Sequence, residues 1–332
     1  MTHAARSLLL SLWDLLEGRF LRKCESMAMI RGVPHAFPYQ GSKRQLAREI
    51  LSCFPGDAKR LVEPFVGSGA ITLGAAHLRL APHFLAGDAH RPLVDLWNAI
   101  LNRPEQLAGQ YRDLWIEQTG RERTFFDEVR AEFNRRHQPH HFLYLLARAV
   151  KAAVRYNARG GFNNSPDNRR RGMHPDEMES NLLRASSLLR GKTELVCADY
   201  KHTLSHCTQS DIVYMDPPYQ GVCRTHNHRY CHAVEYDDFV SVLGSLNDRG
   251  IAYIVSYDGR TGSKMHGRVL PDVLRSSRVE LHAGRSTQAT LLGMGDRTFE
   301  SLYLSPSLLE RIGGVPKALL PSRKRDLFTV AS

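Results

Sequence analysis

RLVEPFVGSGAITLGAAHLRLAPHFLAGD, residues 60–88, is the stretch on which the fold turns. RLVEPF (60–65) is a short run of β formers that stops at Val-Gly-Ser-Gly; the small-residue segment AITLGAAHL then suits a helix, and HFLAGD (83–88) is a second apolar run. A strand, a glycine turn, a helix and a second strand make the repeating unit of a mostly parallel sheet covered on both faces. Working outward, PLVDLWNAIL reads as the next helix, and ELVCAD (194–199), DIVYMD (211–216), GIAYIVSYD (250–258), RVELHAG (278–284) and TFESLYL (298–304) continue the strand rhythm. Between Arg103 and Arg190 that rhythm stops. Helical periodicity runs to about Val154, RYNARGGFNNSPDNRRRG (155–172) has the Gly, Asn and Pro content of a hairpin or ordered loop, and a further helix lies near Asp176–Leu189. The expected architecture is α/β: a doubly wound, mostly parallel sheet built from residues 36–102 and 191–306, with a helical plus hairpin insertion at 103–190. Residues 1–35 are expected to be a poorly ordered extension, and a polar tail is expected from about Ser305, with 307–332 outside the domain.

The composition fits that reading. The 332 residues are 42% hydrophobic and 24% charged, which excludes wholesale disorder, a collagen-like chain and a disulfide scaffold. Lys and Arg number 45 against 34 Asp and Glu, a formal charge of +11 that suggests a polyanionic partner. The excess is concentrated: residues 151–175 hold six basic side chains and one acidic, whereas 176–307 hold 14 basic and 16 acidic. Cys24, Cys53, Cys197, Cys207, Cys223 and Cys231 form no CxxC pair, which suits a reducing cytosol. Cys223, His226, His228, Cys231 and His232 have the residue types of a zinc site but the spacing of no structural class, so a solvated loop is expected there and no metal. No stretch approaches eighteen consecutive apolar residues. Asp14 and Glu17 interrupt the opening apolar run, which reads as a short amphipathic helix or loose leader, with Met27 or Met29 as an alternative start.

Three constellations carry chemistry. Glu63-Pro64-Phe65-Val66-Gly67-Ser68-Gly69 lies between a strand and a helix, where glycines let backbone approach a ligand at the helix N-terminus. It has neither the three-glycine dinucleotide fingerprint nor the Lys-Ser/Thr of a phosphate loop, and taken alone it is equally a tight turn. Asp88, nineteen residues beyond Gly69 at the end of the next strand, stands where a carboxylate accepts ribose hydroxyls or caps the following helix. Asp216-Pro217-Pro218-Tyr219 is the most specific. Two residues with locked φ and no backbone donor hold the Asp216 carboxylate and the Pro217 carbonyl as a rigid pair of acceptors beside an aromatic face. An exocyclic amino group on a flat heterocycle satisfies both acceptors while its ring stacks on Tyr219.

With these motifs in order, the chain from about Phe37 to Pro306 resembles the Dam-like (D12 class, alpha group) N6-adenine DNA methyltransferases, which use S-adenosylmethionine. YQGSK (39–43) resembles the family's N-terminal cofactor motif through Tyr39 and Lys43, although Ser42 stands where many members have Gly. EPFVGSG resembles the methionine-side loop and Gly87-Asp88 the ribose contact; ADY (198–200) resembles the motif whose Asp199 and following backbone N–H, at Tyr200, read the cofactor's adenine. RYNARGGFNNSP is similar to the family's DNA-reading hairpin, and DPPY to its catalytic tetrapeptide.

The resemblance implies a Rossmann-like catalytic domain, Tyr39, Lys43, Glu63, Phe65, Gly67, Gly69, Asp88, Asp199 and Tyr200 as the cofactor set, and Asp216, Pro217, Pro218 and Tyr219 as the catalytic set. It implies double-stranded DNA as partner, with Arg155, Tyr156, Asn157 and Arg159 facing base edges. Arg169, Arg170 and Arg171 are expected on phosphate, and Arg224, His226, His228 and Arg229 near the flipped nucleotide. For Arg285, Ser286 and Thr287 both a phosphate contact and a turn cap stay open. It further implies a cytoplasmic, nucleoid-associated monomer or weak dimer, either solitary or beside a cognate restriction endonuclease. A target adenine inside a duplex must be flipped into the pocket. Cytosine N4 offers the same kind of amine and is the alternative target, and a catalytically silent DNA-binding relative is the alternative of another class. A nicotinamide-dependent dehydrogenase leaves DPPY without a role.

Overall fold

The computed structural model of the chain describes residues 32–218, 234–262, 264–285, 297–316 and 319. Expectations attached to residues 1–31, to Tyr219, to the group from Cys223 to His232, and to Ser286 and Thr287 lie outside them.

A 3-10 turn (Lys43–Gln45) leads into helix α1 (Ala47–Leu51), strand β1 (Arg60–Glu63), helix α2 (Ala70–His77), strand β2 (His83–Asp88) and helix α3 (Arg91–Asn102). Helices α4 (Pro104–Glu117), α5 (Glu122–Arg136), α6 (Pro139–Arg148) and α7 (Pro175–Leu189) follow before the strands resume. These are β3 (Thr193–Cys197), β4 (Asp211–Met215), β5 (Ala252–Thr261), β6 (Lys264–His266), β7 (Ser277–Arg285) and β8 (Arg297–Leu304), with α8 (Tyr200–Ser205) after β3, α9 (Tyr236–Asp248) after β4 and α10 (Pro306–Ile312) last. The sheet order is β3-β2-β1-β4-β5-β8-β7, with β6 paired to β5 off that path. The pairs from β3 to β5 are parallel; β8 runs antiparallel to both β5 and β7. This is the doubly wound α/β arrangement expected from the sequence.

Sequence pattern accounts for the arrangement. Every residue of β4 is buried, as are the first eight of β5, so the central strands read as continuous apolar runs, as strands covered on both faces must. Helix α3 buries Leu93, Leu96, Trp97 and Ile100 at helical spacing. Leu107 and Tyr111 of α4 and Phe142 and Leu146 of α6 join the same buried cluster, so the inserted helices rest on the flank of the sheet through one continuous core. Beyond α6 the RYNARGGFNNSP segment folds back on itself, with antiparallel bridges Tyr156↔Phe162 and Ala149↔Pro166 and an Asn157 N–H donated to Gly161 O at 2.9 Å. Phe162 anchors this hairpin edge-on against Phe133, at 5.9 Å between ring centroids.

The polar tail expected from Ser305 begins as helix α10 instead. The Ser305 hydroxyl accepts the N–H of Leu308 at 3.2 Å and that of Tyr253 at 2.9 Å, and Leu308 is fully buried. Ser-Pro is an N-cap followed by a first-turn proline, and Leu308, Leu309 and Ile312 form an apolar stripe behind it.

Candidate active site

The chain leaves β1 toward β2 on one side while β4 lies on the other, and a doubly wound sheet opens its crevice at the carboxyl ends flanking such a reversal. There Gly67 and Gly69 take φ of +47° and +61°, a region costly for any side-chain-bearing residue. At Gly69 sterics add to this, because a Cβ would sit 2.6 Å from Trp97 Cζ2. Trp97 locks the loop from below by donating its indole N–H to Gly67 O at 2.9 Å. Asp88 faces the same loop, accepting the N–H of Gly67 at 3.4 Å and that of His90 at 2.9 Å. Ser68 Oγ donates to Ser42 Oγ at 2.8 Å, tying the glycine loop to the 39–43 segment. Phe65 and Tyr200 stack at 5.3 Å and 29°, and the Asp199 carboxylate caps α8 through the Lys201 N–H at 2.9 Å.

A cavity of about 380 Å³ gathers most of the expected site residues. Tyr39, Lys43, Glu63, Phe65, Gly67, Asp88, Asp199 and Tyr200 line it together with Asp216, Pro217 and Pro218. Gly69 lies just behind the lining, as the N-cap of α2.

Charge organises the floor. The Lys43 ammonium, 7% exposed, lies 3.0 Å from Asp216 Oδ1 and 3.2 Å from Glu300 Oε2. Burial pushes the Asp216 carboxyl up to about 6, against the opposing pull of Lys43, and Glu300 raises it further. Glu63, 3% exposed, accepts both the backbone N–H and the hydroxyl of Thr72, at 3.1 and 2.5 Å, yet burial still carries its carboxyl up to about 8. Tyr214, buried beneath Asp216, shares a 3.0 Å hydrogen bond with Ser256 that joins β4 to β5.

The 155–172 hairpin reaches this cavity through one of the four residues expected to read DNA. Tyr156 lines the wall, its hydroxyl 2.5 Å from His90 Nε2. Arg155, Asn157 and Arg159 are exposed outside it. The Asn157 side-chain oxygen accepts the N–H groups of Arg159 and Gly161 at 2.9 and 3.0 Å, so it shapes the hairpin tip. Arg169, Arg170 and Arg171 are exposed but paired: Arg169 and Arg170 with Asp167 at 3.0 and 3.2 Å, and Arg171 with Glu122 at 2.8 Å. Arg169, first of all by its hydrogen bond, holds the Asp167 carboxyl down at about 2.

Three residues beyond those expected also matter. Arg148, 1% exposed, donates to the carbonyls of Asp167, Arg170 and Glu122 and so fixes the backbone that carries the arginines. His90 lines the cavity and Glu300 pairs with Lys43 of its floor, and their only sequence signal is position: two residues past Asp88, and inside the last strand. Among the described residues no group of three or more His, Cys, Asp and Glu side chains is arranged to hold a metal ion, and no helix is long and apolar enough to cross a membrane.

Comparison with known proteins agrees with this geometry. DNA adenine methylase of Vibrio cholerae serotype O1 is 24% identical over 270 residues, covering 77% of this chain and 94% of the relative. DNA adenine methylase of Escherichia coli K12 is 27% identical over 227 residues, covering 66% of this chain and 78% of the relative. A solved structure described as a precorrin 8w decarboxylase of Methanobacterium thermoautotrophicum aligns over 82% of this chain and 97% of its own at 12% identity, with a TM-score of 0.36 that carries no argument. The model of the D12 class N6 adenine-specific DNA methyltransferases matches residues 39–282, from the tyrosine that opens the cavity lining to the strand beside β8, and the chain belongs to that family.

Proposed function

We propose that the protein transfers a methyl group from S-adenosylmethionine to the N6 amine of an adenine flipped out of duplex DNA. The observation that carries this reading is the joint lining of one cavity by Asp216 and Pro217 and by the glycine loop with Asp88. At about 380 Å³ the cavity is of the size that holds a small cofactor. Its residues suit a nucleoside bearing a cationic tail: Asp88 for ribose hydroxyls, Asp199 and the Tyr200 backbone for an adenine edge, and Phe65 stacked on Tyr200 for an apolar face. The Tyr200 hydroxyl is buried without a hydrogen-bond partner among the described residues, a further polar group that a ligand can satisfy. Gly67 and Gly69 admit the ligand close to backbone, and Glu63 and Tyr39 close the methionine end. Bound S-adenosylmethionine supplies an electrophilic methyl group on its sulfonium.

The chain's own task is to make an amide-like nitrogen nucleophilic. The Asp216 carboxylate and the Pro217 carbonyl accept the two N–H bonds of the target amine, which favours a tetrahedral nitrogen and directs its lone pair into the cavity. Locked φ at Pro217 and Pro218 keeps these acceptors in place without reorganisation. Tyr219 provides the stacking face that offsets part of the flipping cost. Positioning and oriented acceptors thus do the work, without a covalent intermediate. The hairpin bearing Arg155, Tyr156, Asn157 and Arg159 enters the major groove, and Arg169, Arg170 and Arg171 grip phosphate. Residues 36–102 and 191–306 act as the catalytic unit and 103–190 as the target-recognition unit. The setting is cytoplasmic and nucleoid-associated, as a monomer or weak dimer, with or without a cognate endonuclease.

Purified protein incubated with labelled S-adenosylmethionine and genomic DNA, followed by nuclease digestion and mapping of modified bases, should yield N6-methyladenine at a defined sequence. Label confined to N4-methylcytosine, or no label on any duplex, refutes the assignment.

A further inference from the structure

Glu300 lies on β8, the antiparallel strand beside β5, and reaches the Lys43 ammonium at 3.2 Å, beside the 3.0 Å contact of Asp216. Its Oε2 is out of solvent and takes no hydrogen bond among the described residues, so the Lys43 charge is what faces that oxygen. The side chain as a whole is a quarter exposed, and an ion pair of that kind is weak evidence of a stability role. Lys43 is thereby shared: one nearly buried ammonium serves two carboxylates. Were Glu300 absent, Lys43 would lose one of the carboxylates that draw on it and sit more firmly on Asp216, from which an arriving amine would have to displace it.

We infer that Glu300 is a positioning residue for methyl transfer: by holding the Lys43 ammonium between two carboxylates, it leaves Asp216 open to the target amine. This rests on the proposed transfer to an exocyclic amine. As the substrate N–H bonds engage Asp216, Lys43 leans toward Glu300, and the ammonium stays neutralised without leaving the site. The groups facing Asp216 are Lys43 from the 3-10 turn, Glu300 from β8, Glu63 from β1 and Tyr214 from β4, with Asp88 acting on Glu63 from β2. Lys43 and Glu300 act on Asp216 in opposite senses, which gives the inference its test. Removing the Glu300 charge should ease Asp216 ionisation while tightening its pairing with Lys43; removing the Lys43 charge should hinder ionisation.

The experiment is single-turnover methylation of duplex DNA at saturating S-adenosylmethionine from pH 5 to 9, alongside carbon-13 NMR titration of labelled aspartate carboxylates. Glu300→Gln should move the acid limb and the Asp216 midpoint to lower pH by about half a unit or more, and lower the plateau about tenfold. Lys43→Met should move both midpoints to higher pH. Glu300→Asp, which withdraws the charge by one methylene, should shift them less in the same direction as Glu300→Gln, and it stands in should that variant not fold. A structural role alone predicts a lower plateau with an unmoved limb, and that result overturns the inference, as does an unshifted Asp216 midpoint in an active enzyme. A wild-type protein that methylates no base overturns the proposed function and the positioning role together, and is told apart by failing before any variant is compared.

Discussion

His90 Nε2 and Tyr156 Oη lie 2.5 Å apart, joining the loop after β2 to the hairpin that follows α6. A second tie runs parallel to it, from the Gln40 N–H to Ala152 O at 3.1 Å. Both connect a loop of the cavity to the segment expected to read DNA, so filling one should order the other. Tyr156→Phe keeps the ring and removes the bond. We expect the gain in DNA affinity conferred by S-adenosylhomocysteine to fall about fivefold, the worth of one such hydrogen bond. DNA dissociation constants with and without that ligand, for Tyr156→Phe, His90→Ala and the double variant, measure the coupling. A gain equal to that of the wild type removes the link.

The Asp216 carboxyl, held near 6 chiefly by burial, gives transfer a pH dependence of definite sign. The ionised form is the stronger acceptor of the amine N–H, so single-turnover rates should fall as pH drops through about 6 and level off above 7. Asp216→Asn should cost about 10²–10³-fold in rate while DNA binding is kept. Because the native carboxyl titrates above its unfolded value of 3.8, the native state binds the proton more tightly, and this group lowers stability as pH rises from about 4 to 6. Asp216→Asn should therefore melt higher than the wild type at pH 8 and lose that advantage below pH 4. Melting curves at the two values decide it.

Gly69→Ala should unfold the glycine loop locally or the whole domain partially. Its Cβ would strike the Trp97 ring at 2.6 Å, at a φ of +61° that alanine adopts poorly. The combined cost is about 2–4 kcal/mol. Gly244→Ala, where an added Cβ meets no atom within 4 Å in the middle of α9, is the control and should leave the melting temperature unchanged or raised. Equal melting temperatures for the Gly69 variant and the wild type contradict the packing argument.

Replacing Arg169, Arg170 and Arg171 by Ala should weaken all DNA sequences alike and reduce the slope of log K against log salt by about 0.9 for each phosphate no longer neutralised. Asp167 and Glu122 already pair with these guanidinium groups, so phosphate must exchange with a carboxylate instead of meeting a bare cation. Asp167→Asn should consequently tighten non-cognate binding. Fluorescence anisotropy over a salt series tests both, and a weakening confined to the cognate sequence contradicts the phosphate assignment.

Much of this was legible in the chain because local chemistry and global fold coincide. β4 is an unbroken apolar run, the glycines mark left-handed turns, and Asp216 precedes two prolines that admit few backbone shapes. The cavity lining inherits that legibility, since most of its residues sit on loops immediately after strands. What escaped was delivered by tertiary neighbours. Glu300 occupies a strand position like any other until β8 places it against Lys43. His90 is an ordinary residue before a helix until Tyr156 arrives from 66 positions away. Arg148 lies in a helix whose pattern gives no hint that its guanidinium turns inward to hold three carbonyls. The helix after Ser305 was hidden by averaging, its three apolar residues being outnumbered by polar neighbours.

The antiparallel course of β8 also sets when the site comes into being. A parallel strand brings its last residues to the carboxyl edge; β8 runs the other way and contributes from its first half, while its far end hands the chain to α10 at the opposite edge. Within the ordered path β7 touches the rest of the sheet through β8, so neither strand has its full set of neighbours until residues near 304 are in place. A ribosome-bound chain that has exposed everything through DPPY still lacks Glu300, the second carboxylate beside Lys43. On the role inferred for Glu300, competence to modify DNA waits until β8 has been made, and truncation within β8 should yield a protein with its motifs intact and its chemistry unfinished.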